Sequence, residues 1–263
     1  MISTLVRTGL QLRAQLGITL VEAIGTRFIW LLLGACLVAA GLGFFLGELA
    51  LTEIAEFRVT MMAALLRPTA VFLLATFVVT SVLRERAERR LEMSLAMAVP
   101  PLVWTLGRLL GIVLLAGALA ALAGVVLLAA AQLPMETALW AGTLLLELCV
   151  VGAFALFAAS SMGQLTSALG VTLAFYLVAR ALAAVLFMFD GYTHDASTTL
   201  MLSVLEVLSL VMPRLDLHAH SGWLIEGGAE PALAARLALA SLVYLLLLVA
   251  ATAFDLRRRG HEV

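Results

Sequence analysis

Lysine is absent from this chain of 263 residues, so all 16 of its basic side chains are arginines. The phosphate loop Gly-x-x-x-x-Gly-Lys-Ser/Thr contains an essential lysine, and the chain therefore has no P-loop with which to bind ATP itself. Charged residues are also few, at 13% of the sequence, and the formal net charge is −1. Nucleic-acid binding needs a basic surface that neutralises phosphates, so this charge balance gives no reason to expect nucleic acid as a partner.

Cysteine is scarce as well. Cys36 and Cys149 both lie within apolar runs, where a thiol usually behaves as a small buried hydrophobic group rather than as half of a disulfide or a metal ligand. The Gly-x-Ser-x-Gly frame of serine hydrolases is missing around Ser160 and Ser161, and no histidine lies in a long apolar run. We therefore expect a protein that is not an enzyme and that binds no cofactor itself.

Apolar residues, in contrast, make up 63% of the chain, and the mean hydropathy is +1.12. These values lie far outside the usual composition of soluble domains, and a bilayer core is crossed by about 20 apolar residues in a helix. Arg67-Pro68 interrupts the second apolar run and predicts a kink or a displaced start there. The sequence predicts an all-α integral membrane protein, a single domain over 1–263, with six transmembrane helices at 28–47, 61–83, 102–131, 138–160, 168–189 and 233–254.

Two segments outside these spans are predicted to associate with the membrane surface. In residues 1–27, leucines recur at helical spacing with polar residues between them, which predicts an interfacial elbow helix; a frayed polar leader is the alternative. This leader is too polar for a secretory signal, so we expect it to remain in the mature chain. In the outer region, 190–232, the apolar stretch LMLSVLEVLSLVMP is shorter than a span and predicts a re-entrant or interfacial helix.

The distribution of arginines predicts the orientation of the spans. A cytoplasmic N-terminus with six spans places ten arginines on the inner side and three on the outer side, in agreement with the positive-inside rule. Both termini are then cytoplasmic. The inner set is Arg7, Arg13, Arg27, Arg84, Arg86, Arg89, Arg90, Arg257, Arg258 and Arg259, and the outer set is Arg58, Arg214 and Arg236.

The most highly charged stretch, RERAERRLEMSLAMAVPP at 84–101, connects the second and third spans on the cytoplasmic side. Glu85 and Arg89 stand four residues apart in the favourable order, and apolar residues recur at intervals of three or four. Pro100 and Pro101 then end the pattern. The stretch therefore predicts a short amphipathic helix; a solvated anchor with no further role is the alternative.

This connection resembles the signature segment of ABC-2 type transporter permeases. In that family a charged cluster leads into Gly-Thr-Leu-Glu-Leu-Leu-Leu, a proline and a later Gly-Lys; here Leu91 and Glu92 match the Leu-Glu and Gly107 matches the glycine, while Arg108 replaces the lysine. The family pattern has Gly-Thr where this chain has Arg89 and Arg90. The elbow, the six spans and the outer membrane-associated segment are similar to that family over the whole chain. Residues 213–217, PRLDL, resemble a segment of its copper-enzyme-maturation branch.

The resemblance implies a permease subunit in a bacterial cytoplasmic membrane, most similar to exporters and paired with a second permease as a homodimer. ATP and Mg would be bound by a separate ATPase subunit, and the interface between permeases would be lined by spans one, two and five. Residues 85–98 would form a coupling helix that docks in the ATPase. The coupling residues carried over are Glu85, Arg86, Glu88, Arg89 and Glu92.

Charged residues at membrane depth are a further feature of the sequence. Glu147 and Arg180 each lie about nine residues below the outer end of a predicted span, and a charge in hydrocarbon costs at least about 2.5–3.5 kcal/mol, so we expect the two to pair. Arg67 is expected either to join them in a possible substrate pathway or to snorkel outward. The alternatives to the permease are an ATP-independent carrier or channel built on these residues and a membrane assembly factor.

Three of the four histidines lie in the outer region with aspartates close in sequence. Imidazole and carboxylate together can bind zinc or copper, although a His-x-His pair in a loop is a signal of low specificity. These residues are weak metal-ligand candidates, and we do not predict a metal site from them. They are His194, His218 and His220.

Overall fold

The computed structural model of the chain describes residues 2–26, 28–49, 54–88, 100–131, 133–189, 212–219 and 231–260. Within these ranges the chain forms seven α-helices and one short 3₁₀ helix, Leu217–Ala219, and no strand. The α-helices are α1 Ile2–Gly25, α2 Phe28–Leu49, α3 Ile54–Ala87, α4 Pro101–Ala131, α5 Pro134–Ser161, α6 Leu165–Phe189 and α7 Pro231–Gly260.

Five of these helices are long and apolar enough to cross a membrane, namely α3, α4, α5, α6 and α7. They coincide with the second to sixth predicted spans. The first predicted span falls on α2, in which the apolar stretch Leu33–Phe45 is shorter than a crossing. The all-helical class and several membrane-length helices are therefore confirmed for the described residues. A membrane crossing by α2, which would bring the number of spans to six, and the interfacial position of α1 stay predictions.

Prolines mark where the helices begin. Pro101, Pro134 and Pro231 are the first residues of α4, α5 and α7, a position where the missing N–H costs nothing because the first turn has no internal acceptor. Pro68, in contrast, lies inside α3, which continues from Ile54 to Ala87. The displaced start predicted at Arg67-Pro68 is therefore wrong, because the helix had already begun more than three turns earlier.

Helix α5 is the centre of the bundle and packs against α3, α4, α6 and α7. Its second half is rich in small buried residues, among them Gly152, Ala155 and Ala159. A methyl group added at Gly152 would lie 2.6 Å from Ile112 Cγ2 of α4. Small residues permit this close approach, which in a bilayer replaces the missing hydrophobic driving force with van der Waals contact.

The N-terminal helix α1 packs along α4 through two glycines one turn apart. A Cβ atom at Gly107 would lie 2.7 Å from Gln15 Cβ, and one at Gly111 would lie 2.7 Å from Thr19 Cβ. Gln15 and Thr19 are themselves one turn apart on α1, so the two pairs form a single close contact between the helices. The contact fixes α1 against the half of α4 that follows the charged connection.

Several predicted features lie wholly or partly outside the described residues. The first residues of the predicted coupling helix, 85–87, continue α3, and Arg89 and Glu92 are not described. The same holds for His194, His220 and the predicted outer helix. Of the predicted outer region, residues 212–219 are described, and we call them the outer segment after that prediction. The 3₁₀ helix of this segment packs against α5, and Pro213 and Leu215 are buried.

The substitution Gly111→Ala is expected to destabilise the protein, because the new methyl group meets three atoms of the branched Thr19 side chain within 2.8 Å. Overpacking of this kind costs about 1–3 kcal/mol. Gly117→Ala on the same helix is the matched control, since no atom lies within 4 Å of its Cβ position, and it gains helix propensity. Thermal unfolding in detergent should show a lower Tm for the first variant only; equal Tm values would contradict the α1–α4 contact.

Candidate functional site

Three charged side chains from three helices meet at mid-depth in the bundle. Arg67 of α3 places Nη1 2.6 Å from Glu147 Oε2 of α5, and Arg180 of α6 places Nη1 3.2 Å from Glu147 Oε1. The Glu147 side chain is fully buried, that of Arg67 is 2% exposed, and that of Arg180 is 33% exposed. We call these three residues the central triad. Each carboxylate oxygen has its own guanidinium, which is what makes a buried charge tolerable in hydrocarbon.

Arg67 is held within the bundle through both of its terminal nitrogens and through the face of its guanidinium. Its Nη2 donates to Thr143 Oγ1 at 3.2 Å and to the Trp140 carbonyl at 3.4 Å, both on α5. Its guanidinium carbon lies 4.8 Å from the centroid of the Trp140 ring, a cation–π contact. Arg67 therefore joins the triad, and of the two expectations for this residue the outward snorkel is the wrong one.

Arg180 is held more loosely than Arg67. Besides Glu147, its Nη1 contacts the Tyr176 hydroxyl at 3.2 Å, one turn earlier on α6. Next to Tyr176, the ring of Phe175 stacks on Phe154 of α5 with centroids 3.9 Å apart. The stacked rings join α5 to α6. The guanidinium of Arg180 is the accessible part of the triad.

The outer segment 212–219 approaches the same part of the bundle. His218 is buried; its Nε2 lies 3.0 Å from Ser241 Oγ of α7 and its Nδ1 lies 3.2 Å from the Arg214 carbonyl. Burial lowers the pKa of His218, and Arg67 lowers it further, while Glu147, Asp216 and the Arg214 carbonyl oppose the shift. Both ring nitrogens of this weak metal candidate thus have partners within the protein.

A second polar cluster lies near the last residues of α1 and α3 and the first residues of α4, and its centre is Arg108, whose side chain is 2% exposed. Arg108 Nη1 donates to Thr19 Oγ1 at 3.1 Å, and Nη2 lies 3.2 Å from Glu22 Oε2 and 3.7 Å from Glu85 Oε2. Ser81 is hydrogen-bonded to both Arg108 and Glu22. We call these five residues the Arg108 cluster. The sequence analysis identified Arg108 only as the match to a family lysine and missed its partners on α1 and α3.

The predicted coupling residues separate into two kinds. Glu85 is directed into the protein, where Trp104 Nε1 donates to its Oε1 at 3.2 Å and Arg108 lies near its other oxygen. Arg86 donates to the Ser160 carbonyl at the end of α5, which complements the negative end of the helix dipole. Glu88 follows the last residue of α3 and is exposed.

The end of α5 also contacts α7. Ser161 Oγ donates to Asp255 Oδ2 at 3.2 Å. Together with the Arg86 contact, this hydrogen bond joins the C-terminal ends of α3, α5 and α7. The Arg108 cluster joins α3 to α1 and α4 at a similar level, so this end of the bundle is cross-linked by polar contacts.

Glu147→Gln is expected to be the most destabilising change in the central triad, because it leaves two guanidinium groups facing each other without a carboxylate. Removing one partner of a buried pair costs about 3–5 kcal/mol. Arg180→Gln should cost less, since that side chain is one-third exposed and Glu147 keeps Arg67. Thermal unfolding checks the order, with Glu136→Gln at the half-buried position in the first turn of α5 as the control. A Tm for Glu147→Gln equal to that of the control would contradict the triad as a structural contact.

Acidification is expected to destabilise the protein through His218. Because its pKa is lower in the folded protein than the ordinary value of about 6.5, the unfolded chain takes up the proton first. The stability is therefore fully present above about pH 6.5 and is lost as the pH falls below it. The Tm of the wild type should be lower at pH 5.5 than at pH 7.5. The difference between the two Tm values should be smaller for His218→Gln. The same pH dependence in both proteins would contradict this role of His218.

Comparison with protein-family models and with curated protein sequences finds no match to this chain. The family and the function are therefore argued from the residues of this chain and their geometry. The features that any function must explain are the central triad, the Arg108 cluster and the charged end of α3 on a bundle of membrane-length helices.

Proposed function

We propose that this chain is the permease subunit of an ATP-binding cassette transporter of the ABC-2 type, which moves its substrate by means of ATP hydrolysis on a separate ATPase subunit. The resemblance of residues 85–111 to the family's signature segment supports the family. The absence of lysine supports a separate ATPase subunit, since a chain without a P-loop cannot bind ATP through that motif itself. Export across a bacterial cytoplasmic membrane is the direction that the resemblance favours.

The observation that carries the proposal is the way α3 ends. The helix continues beyond its apolar part through Arg84, Glu85 and Arg86 without a break, and the last two of these side chains bind α4 and α5. Force from a partner is transmitted only by a segment that does not bend, and a helix held by polar contacts on two sides meets that requirement. A solvated surface anchor does not need these inward contacts.

Within this proposal the coupling residues have two roles. Glu85 and Arg86 fix the end of α3 to the bundle through their contacts with Trp104, Arg108 and Ser160. Glu88, with the predicted residues Arg89 and Glu92, faces the ATPase. The N- and C-termini are cytoplasmic, α2 supplies the first of six spans, and two copies of the chain form the transport unit.

An ATP-independent carrier or channel is the second candidate, and the central triad is the observation that favours it. Ionisable residues at mid-depth commonly mark substrate or ion pathways in membrane proteins. The triad serves an ATP-driven permease equally well, however, whereas a carrier leaves the charged end of α3 unexplained. The permease therefore accounts for more of the chain.

Reversing charge at the exposed end of α3, with Arg84→Glu and Glu88→Arg together, is expected to abolish binding to the ATPase. The test uses the tagged full-length chain purified from its native host in mild detergent. The co-purified protein is identified by mass spectrometry, and ATP hydrolysis by the complex is measured. Wild type should retain a P-loop ATPase in stoichiometric amount, and the double variant should lose at least nine-tenths of it.

The matched control is Arg214→Gln, which removes an exposed charge from the outer segment and should leave ATPase recovery unchanged. Wild-type protein that retains no P-loop ATPase contradicts the permease and favours the carrier. Full ATPase recovery with the double variant contradicts the role of α3.

A further inference from the structure

The two arginines of the central triad are used unequally. Arg67 is buried, and both of its terminal nitrogens donate hydrogen bonds. Nη1 donates to Glu147, and Nη2 donates to Thr143 and to the Trp140 carbonyl. Arg180 makes its hydrogen bonds to Glu147 and Tyr176 through Nη1 alone and is 33% exposed. A guanidinium has five N–H donors in a fork that fits carboxylate and phosphate oxygens in pairs. Arg180 therefore keeps donor capacity for a group from outside the described residues.

The triad is also short of negative charge. Two guanidinium groups share one carboxylate, so the three residues carry a formal charge of +1 at mid-depth, where a charge costs about 2.5–3.5 kcal/mol on insertion scales. Two further buried donors, Arg67 Nε and Trp140 Nε1, have no acceptor among the described residues. An acidic group bound at Arg180 would supply the missing negative charge.

The position of Arg180 restricts the kind of acid that can reach it. Arg180 lies nine residues before the end of α6 at Phe189, which corresponds to about 14 Å along the helix axis. One turn away on the same face, Leu177 is 62% exposed, and the stacked ring of Phe175 lies close in sequence. A free inorganic anion would lose its hydration without gaining a contact for this apolar surface, whereas an acid with an apolar body gains both contacts.

We propose that Arg180 anchors the acidic group of an anionic amphiphile, a molecule with one carboxylate or phosphate on an apolar chain, which approaches the triad along the exposed face of α6. Arg180 binds the acidic group, Tyr176 positions the guanidinium, and the Arg67–Glu147 pair fixes the carboxylate to which Arg180 is hydrogen-bonded. This assignment names the substrate class of the proposed permease and rests on that proposal for its transport role.

Binding is tested with the purified full-length chain in dodecyl maltoside by native mass spectrometry. The probe is dodecyl phosphate, and the comparison ligands are dodecanol, with the same tail and no charge, and inorganic phosphate, with the charge and no tail. We expect a saturable one-to-one adduct with dodecyl phosphate only. An equal adduct with dodecanol, or equal competition by inorganic phosphate, overturns the assignment to an anionic amphiphile.

The variant Arg180→Gln is expected to weaken the adduct at least tenfold, while Arg180→Lys, which keeps the charge but loses the paired donors, should weaken it less than Arg180→Gln does. The control Arg214→Gln should bind as the wild type does. If Arg180→Gln does not fold, the wild-type comparison of the three ligands and the Arg180→Lys variant still decide the matter. Unchanged affinity in a folded Arg180→Gln protein overturns the proposal.

This assay contains no ATPase, so its failure is distinguishable from failure of the proposed function. A chain that retains its ATPase but forms no adduct overturns the amphiphile and leaves the permease. A chain that forms the Arg180-dependent adduct but retains no ATPase supports the ligand site and contradicts the ATP-driven mechanism.

Discussion

The carboxylate of Glu147 is the interaction on which the rest of the bundle depends. It lies at the middle of α5, the helix that packs against four others, and it is fully buried. In water such a group would need no partner, but in hydrocarbon it needs one for each oxygen, and the chain supplies Arg67 from one side and Arg180 from the other. Because the penalty for leaving any member unpaired is large, the triad fixes how α3, α5 and α6 are rotated about their axes, which apolar packing alone specifies weakly.

Helix α3 connects this triad to the Arg108 cluster near its own C-terminal end. It contributes Arg67 to the triad and, fourteen and eighteen residues later, Ser81 and Glu85 to the Arg108 cluster. Between Arg67 and Ser81, no side chain of α3 makes a polar contact with another helix in the part of the chain that the structure describes. These residues pack against α4 and α5, and Leu74 lies close to Gly152. A displacement of the charged end of α3 would therefore reach the triad along one continuous helix rather than through a chain of side-chain adjustments.

Much of this arrangement could be predicted from the sequence because the bilayer makes two signals strong. Long apolar runs identified the membrane-length helices, and the cost of an isolated charge required a partner for Glu147. Arg67 was harder, since its neighbouring proline suggested the end of a helix although α3 passes through it. The Arg108 cluster could not be predicted: Glu22 is 86 residues from Arg108 in sequence and lies on a helix whose leucine pattern pointed only to the membrane surface. The spacing of Gly107 and Gly111 was the local signal for that contact, but Gly107 was interpreted only as a match to the family motif and Gly111 was not considered.

Pro68 has a mechanical consequence for α3. Pro68 has no backbone N–H and cannot donate a hydrogen bond to the carbonyl of Ala64. One backbone hydrogen bond of α3 is therefore missing next to Arg67 of the triad. The missing hydrogen bond makes α3 easier to bend at this point. On one side lies a short segment, 54–64, and on the other a longer segment that is held by the contacts of Arg67 and Glu85. If the charged end of α3 were displaced, the longer segment would move as a unit and the bending would be concentrated near Pro68, at the far side of the triad from the displaced end.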